Sequence, residues 1–278
     1  MSTLESRAAW RAVAAAWERH RDYVWSASRP ISERLVELLA PAEGDTVLEL
    51  AAGPGDTGFL AARRIGPAGR LVSSDFVPEM VGAARRRAAE LGLENVTFEI
   101  LDAQSLVLAD ESVDGVLCRW GYMLVEEPPL AFAETRRVLR PGGNVALAVW
   151  GTPEENPWAS SIGRVLVARG LAEKPEPDAP GPFRLADPER VQSLLEVADL
   201  EVLAQEDVAI MWRYESFDAY WEVQRDLARS LVVALEGADQ QQEAEIQDDI
   251  LDLLEPYRNG DELAIPGLTR VTLARRPG

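Results

Sequence analysis

Residues 46–58, Thr-Val-Leu-Glu-Leu-Ala-Ala-Gly-Pro-Gly-Asp-Thr-Gly, carry an apolar run into glycines at Gly53, Gly55 and Gly58, and a helix-like pattern follows. Glycines at such a turn let the backbone bend tightly and approach a ligand closely, while free N–H groups at a helix start favour an anionic group. Asp75 closes the next apolar run. An acid about 20 residues after the turn is suited to a ribose diol, because a carboxylate can accept hydrogen bonds from both hydroxyls. The combination points to an adenosine-containing ligand.

Two such ligands make different demands. Hydride transfer to a nicotinamide needs an acid or base beside the ring, commonly a Tyr-x-x-x-Lys pair or a histidine. Lys174 is the only lysine, in a proline-rich segment, and His20 is the only histidine, ahead of the nucleotide-binding unit. The same scarcity leaves no material for a histidine triad, a multi-histidine metal site or a lysine Schiff base, and no metal is expected. S-adenosylmethionine instead asks for acids at the ends of three successive strands, and Glu49, Asp75 and Asp102 stand there. Glu49 suits a ligand with ammonium and sulfonium groups. Asp102 can accept from the adenine amino group while the Ala103 N–H donates to a ring nitrogen. Simpler roles stay open beside these: Glu49 capping a local N–H, Asp102 as a turn residue, Phe76 and Met80 as plain core.

The elements that must position these residues follow from the rhythm of the chain. Trp10, Val13 and Trp17 share one helical face, and Ile31, Leu35, Leu38 and Leu39 repeat the spacing after Pro30. Short apolar runs at 46–50, 70–74, 96–101, 113–119 and 144–150 alternate with helical patterns near 57–65, 77–91 and 128–139. That alternation predicts an α/β fold with a parallel sheet covered on both faces. Arg140-Pro141-Gly142-Gly143 reads as a turn before the fifth strand. Beyond Trp150 the pattern loosens: prolines 175–182 mark a loop, Asp187-Pro188 a helix start, Leu200–Trp212 a sixth strand, 216–256 two helices around Gly237-Ala238-Asp239, and 268–275 a last strand.

Val47-Leu48-Glu49-Leu50-Ala51-Ala52-Gly53-Pro54-Gly55, Ser74-Asp75-Phe76-Val77-Pro78-Glu79-Met80, Leu101-Asp102-Ala103 and Arg137-Val138-Leu139-Arg140-Pro141-Gly142-Gly143 resemble, in order, the signature of class I S-adenosylmethionine-dependent methyltransferases, and among these the type 11 or UbiE-like small-molecule group. The resemblance is strong over residues 40–150. It implies a Rossmann-like seven-stranded sheet whose last strand inserts antiparallel beside the fifth, an N-terminal helical lid (1–40), a cofactor-binding core (41–150) and remaining strands (151–278) with a helical cap inserted near 213–264. It implies methyl transfer from S-adenosylmethionine to a small-molecule O, N or C nucleophile, leaving S-adenosylhomocysteine; a non-catalytic S-adenosylmethionine-binding protein and a nucleotide-dependent oxidoreductase are the alternatives. Carried over residue by residue, Glu49, Ala51, Gly53 and Gly55 form the methionine-side loop. Asp75 is the ribose acid, Phe76 and Met80 wall the adenine slot, and Asp102, Ala103 and Gln104 read its edge. Arg119 supplies a backbone carbonyl for the ammonium group. Ala51 departs from the pattern, which usually has glycine there.

No catalytic base is assigned; His20 and Tyr122 are the candidates. Substrate-side candidates are Tyr23 on the lid, Trp120, Tyr122 and Met123 after the fourth strand, and Trp221. Trp221 belongs to an aromatic group with Trp212, Tyr214, Phe217 and Tyr220 that reads equally as pocket or as packing. Net charge −19 argues against a nucleic-acid partner, since phosphate neutralisation needs basic surface. Arg85-Arg86-Arg87 reads as a solvated helix face, and Cys118 as a buried core residue. With no apolar run long enough to span a membrane and no signal-like start, the chain is expected in the cytoplasm.

Overall fold

The computed structural model describes residues 3–278. Two helices open it, α1 (Thr3–Arg19) and α2 (Arg21–Leu39), before the alternation β1 (Thr46–Glu49), α3 (Asp56–Ile65), β2 (Arg70–Asp75), α4 (Pro78–Glu90), β3 (Val96–Ile100), β4 (Val113–Arg119), α5 (Pro128–Val138) and β5 (Leu139–Trp150). Then come α6 (Pro157–Ala168), α7 (Pro188–Val197), β6 (Glu201–Tyr214), α8 (Phe217–Leu227), α9 (Arg229–Leu235), α10 (Gln240–Leu254), the two-residue β7 (Arg258–Asn259) and β8 (Glu262–Arg275).

The sheet runs in the order β3-β2-β1-β4-β5-β8-β6, with β7 pairing β8 as a short hairpin. β1 to β5 are parallel and β8 is antiparallel to both β5 and β6, the insertion expected of the last strand. β1, β2 and β4 are buried along nearly their whole length because helices cover both their faces, polar residues such as Ser73, Ser74 and Glu49 included. β6, at the edge, buries only alternate residues near its end, Ile210, Trp212 and Tyr214, as a strand covered on one face does. Strand order reverses between β1 and β4. In open α/β sheets that reversal leaves a crevice at the strands' carboxyl ends, so Glu49 and Arg119 end on either side of it.

Four local expectations change. The N-terminal helices divide at His20, and α2 runs through Pro30, whose exposed position lets water satisfy the carbonyl a proline cannot bond. Arg140–Gly143 lies inside β5: Leu139 already pairs with Val113, the register shifts before Gly115, and Gly142 takes φ 80°. Residues 216–256 form three helices. Ala228 turns to an extended ψ of 95° between α8 and α9 with no glycine or proline to announce it. The sequence pattern also passed over α6, begun at Asn156-Pro157. Asp187 does cap α7, accepting from the Glu189 N–H ahead of Pro188.

Candidate functional site

The loop after β1 reaches its shape through positive φ at Ala51 (50°), Gly53 (55°) and Gly55 (92°). A Cβ on Gly55 would lie 2.5 Å from the Phe59 ring, whereas one on Gly53 would meet nothing within 4 Å, so Gly53 leaves an open cradle. Ala51 is accommodated from across the crevice. A Cβ on Gly121 would lie 2.7 Å from that of Ala51, so the methyl gained at one position is matched by one lacking at the other.

Glu49 is 2% exposed; its Oε1 accepts from the Gly58 N–H at 2.7 Å and its Oε2 from Ser73 Oγ at 3.3 Å. A Cβ on Gly58 would stand 2.2 Å from Oε2, which gives this third glycine its reason: it lets a carboxylate lie against the first turn of α3. Burial raises the Glu49 pKa to about 8 against the pull of the Gly58 N–H and the positive charge of Arg119. The local capping role is therefore the one Glu49 performs in this structure. Asp75 joins the two halves of the cofactor crevice, accepting from the Gly53 N–H at 3.0 Å and the Val77 N–H at 2.9 Å. Burial raises its pKa to about 6, opposed by these backbone donors. Asp102 Oδ1 accepts from the backbone N–H and the side-chain amide of Gln104, and Gln104 Oε1 in turn accepts from the Glu127 N–H at 2.7 Å. Ala103 sits half-buried between them.

Arg119, at the end of β4, donates from Nε to Thr57 Oγ1 at 2.9 Å and lies with Cζ 4.4 Å from the Trp120 ring centre. Its Nη1 is buried without a partner. Trp120 follows at φ 62°, an uncommon conformation for a bulky residue, and donates from Nε1 to Thr269 Oγ1 at 3.2 Å. From Trp120 a run of rings crosses the sheet edge: Trp120 to Trp150 at 5.6 Å, Trp150 to Trp158 at 4.5 Å, Trp158 to Trp212 at 4.3 Å, Trp212 to Tyr23 at 5.7 Å and Tyr23 to Tyr214 at 5.2 Å. The indole N–H groups of Trp150 and Trp212 and the hydroxyl of Tyr23 are buried in it without a well-formed hydrogen bond.

Other candidates lie elsewhere. Tyr122 is 1% exposed, stacked on Phe132 at 4.3 Å and bonded through its hydroxyl to Thr135 Oγ1 at 2.6 Å; burial drives its pKa well above the usual phenol value. It is core beneath α5, as is Met123, also 1% exposed. His20 Nε2 lies 2.8 Å from Asp226 Oδ2, which Arg19 also contacts, so the sole histidine ties the N-terminal helices to α8. Trp221 is buried on α8, and Tyr220 donates to the Trp158 carbonyl at 3.0 Å. Tyr220 thereby pins α8 to α6, while Trp212 and Tyr214 of the same aromatic group belong to the run of rings at the sheet edge. The basic triplet is likewise not simply solvated: Arg86 pairs with Glu18 of α1 and Arg87 with Asp56 of α3. Cys118 is buried, and burial raises its pKa to about 12.

Phe76 and Met80 are in place for an adenine slot, and α1 packs onto both, through Trp10, Ala14 and Trp17. The space left between Trp17, Trp25, Pro54 and Arg119 is about 10 Å³, room for one water at most, and because α1 covers Phe76 and Met80 it must shift for adenine to stack there. A larger cavity of about 280 Å³ lies at the opposite, amino-end edge of the sheet, between Asp45, Asp114 and Arg140. Among the described residues no group of three His, Cys, Asp or Glu side chains is arranged to hold a metal, and no helix is long and apolar enough to cross a membrane. The open Gly53 cradle, the strand-end acids and the orphaned Arg119 Nη1 fit an adenosine ligand with a charged amino-acid end.

A methyltransferase-domain family matches residues 41–166. Nocamycin O-methyltransferase of Saccharothrix syringae is 30% identical over 230 residues, covering 74% of this chain and 81% of that protein. Arsenite methyltransferase of Halobacterium salinarum is 43% identical over 109 residues, 39% of this chain and 28% of that one. For most of the curated relatives it matches, the aligned stretch spans about half of their length or less. A solved structure from Bacillus halodurans C-125 covers 89% of this chain and 99% of its own with a TM-score of 0.63 at 18% identity, a likeness of fold.

Proposed function

The chain belongs to the class I S-adenosylmethionine-dependent methyltransferases of the UbiE-like group, and from that premise we propose that it methylates a ring-bearing, largely apolar small molecule in the cytoplasm. The carrying observation is the continuity between the cofactor crevice and the aromatic ledge: Arg119 of the crevice lies against Trp120, and Trp120 against Trp150. Likeness to an enzyme named for O-methylation of nocamycin supports a hydroxyl as acceptor.

Bound between β1 and β4, S-adenosylmethionine supplies an already activated methyl group. Asp75 would hold the ribose, Phe76 and Met80 the adenine faces, and Asp102, Ala103 and Gln104 its edge. The Gly53–Gly55 turn and Glu49 would flank the amino-acid end, with the Arg119 carbonyl beside the ammonium group. Trp120, Trp150 and Tyr23 would align the acceptor, and α1 and α2 would exclude water once closed over it. His20 is held by Asp226 at the contact of the N-terminal helices with α8 and does not line the space beside Arg119, and Tyr122 is bonded to Thr135 beneath α5. Neither candidate base among the described residues therefore reaches the crevice, which suits an acceptor acidic enough to lose its own proton. Residues 1–40 would form the lid segment, with α1 its moving part and α2 anchored through Ile31 and Leu35, 41–150 the core and about 213–264 the cap.

Calorimetry with S-adenosylhomocysteine, followed by a mass shift of about 14 Da on a panel of hydroxylated aromatic acceptors, tests this. Binding at one site per chain and methylation of a phenolic or enolic member are expected. Binding of NAD in place of S-adenosylhomocysteine would overturn it.

A further inference from the structure

We infer that the Arg119 guanidinium is the anchor for the carboxylate of the cofactor's amino-acid end. The inference deepens the reading above and rests on it. Arg119 is held on two sides, by Thr57 Oγ1 at 2.9 Å and by the Trp120 ring at 4.4 Å, and Thr57 is itself fixed by Ser32 Oγ at 2.8 Å. That leaves Nη1 buried, unpartnered and walling the small cavity beside Pro54. A buried cation with no counter-charge is costly, and the two acids nearest in charge are engaged elsewhere. Glu49 takes the Gly58 N–H and Ser73, and Asp56 takes Arg87. Arg119 forms no ion pair among the described residues, while Arg87 and Arg137 each pair with more than one carboxylate.

The missing partner has a definable chemistry. A guanidinium fork matches a planar two-oxygen anion, and the first turn of α3 presents backbone donors beside it. Glu49, already holding the Gly58 N–H and Ser73 behind the same turn, leaves the Arg119 Nη1 donor free for such an anion. A carboxylate on the acceptor would use the same chemistry. The cavity wall it shares with Pro54 and Trp17, under the cofactor loop, favours the cofactor as the source.

The test compares S-adenosylhomocysteine with its decarboxylated analogue, which keeps the ammonium group, by calorimetry on the full chain. The wild type is expected to prefer S-adenosylhomocysteine by about 30-fold or more, the scale of a desolvated charge pair losing one partner. Arg119→Met should bring that preference below about threefold while leaving affinity for the analogue within about threefold of wild type, and Arg119→Lys should restore part of it. Equal affinity of the wild type for the two ligands would overturn the assignment without any variant, which covers the case in which Arg119→Met does not fold. So would a variant that loses both ligands equally, or one that keeps the preference and instead loses affinity for an acidic acceptor. If the wild type binds neither ligand, the cofactor reading itself fails, a distinguishable result.

Discussion

Replacing Glu49 with glutamine should make the unliganded protein less sensitive to alkaline pH. Burial holds the Glu49 proton to about 8 where an ordinary glutamate loses it near 4.5. A carboxyl with a raised folded pKa contributes stability that is complete below the unfolded value and is lost as pH rises through the folded one. The window is therefore about pH 4.5 to 8, and the loss across it is on the order of 3–5 kcal/mol at about 1.4 kcal/mol per pH unit. For a chain of this size that is roughly 10 °C in melting temperature. Asp75, raised to about 6, adds in the same direction over the acidic half of the window. Glu18, Glu134 and Glu206 are lowered by arginine partners and titrate below it. Glutamine keeps the Gly58 contact through its oxygen and meets Ser73 through its amide, mimicking the protonated acid. Urea or thermal melts from pH 5 to 9 should show the wild type losing stability as pH rises and Glu49→Gln much flatter, the two converging near pH 5. Parallel profiles would refute the claim that Glu49 is a buried, proton-holding carboxyl.

Asp75→Asn should weaken S-adenosylhomocysteine binding by about 1.5–3 kcal/mol, since it removes a charged acceptor from the ribose and from the Gly53 turn; unchanged affinity in calorimetry would mean that the ribose is held elsewhere. Tyr122→Phe should cost about 1 kcal/mol of stability through the lost bond to Thr135 and leave turnover unchanged. A folded variant with wild-type melting but impaired methyl transfer would return Tyr122 to the substrate site.

What could be read from the sequence followed from how local each signal was. The strand-end acids and the glycine turn occupy one continuous βαβ stretch, where spacing alone fixes their relation to the crevice. Gly58 was visible as a glycine, but its purpose depends on a side chain nine residues earlier folding back against it. Tyr122 and Met123 follow the right strand, yet a single short turn of 3-10 helix, Tyr122–Leu124, carries them under α5. Their apolar character fits core and pocket equally well. The break at Ala228 has no residue signature because packing of α8 and α9, not a turn residue, decides it. Trp150 and Trp158, with Phe183 against Trp150, carry no sequence signal for the aromatic ledge, since they come from β5, α6 and a loop that only the sheet brings together.

The lid carries the remaining step. α1 lies on the two side chains assigned to the adenine faces, and the ion pairs that tie it to α4, Arg11 with Glu79 and Arg86 with Glu18, are exposed and worth at most about 1 kcal/mol each. Its apolar contact with α4 is small, Ala14 with Val77 and Met80 plus two partly exposed tryptophans, while Val13 and Ala16 are buried and α8 and α9 pack on the same helix. α2 is held differently, with Ile31 and Leu35 fully buried against the sheet. The hinge between them is His20, where the His20–Asp226 contact fixes the base of α1 to the cap. A cofactor can therefore displace α1 without disturbing α2. Because Trp17 lines both the adenine contact and the Arg119 cavity, one movement opens the nucleoside slot and the amino-acid end together.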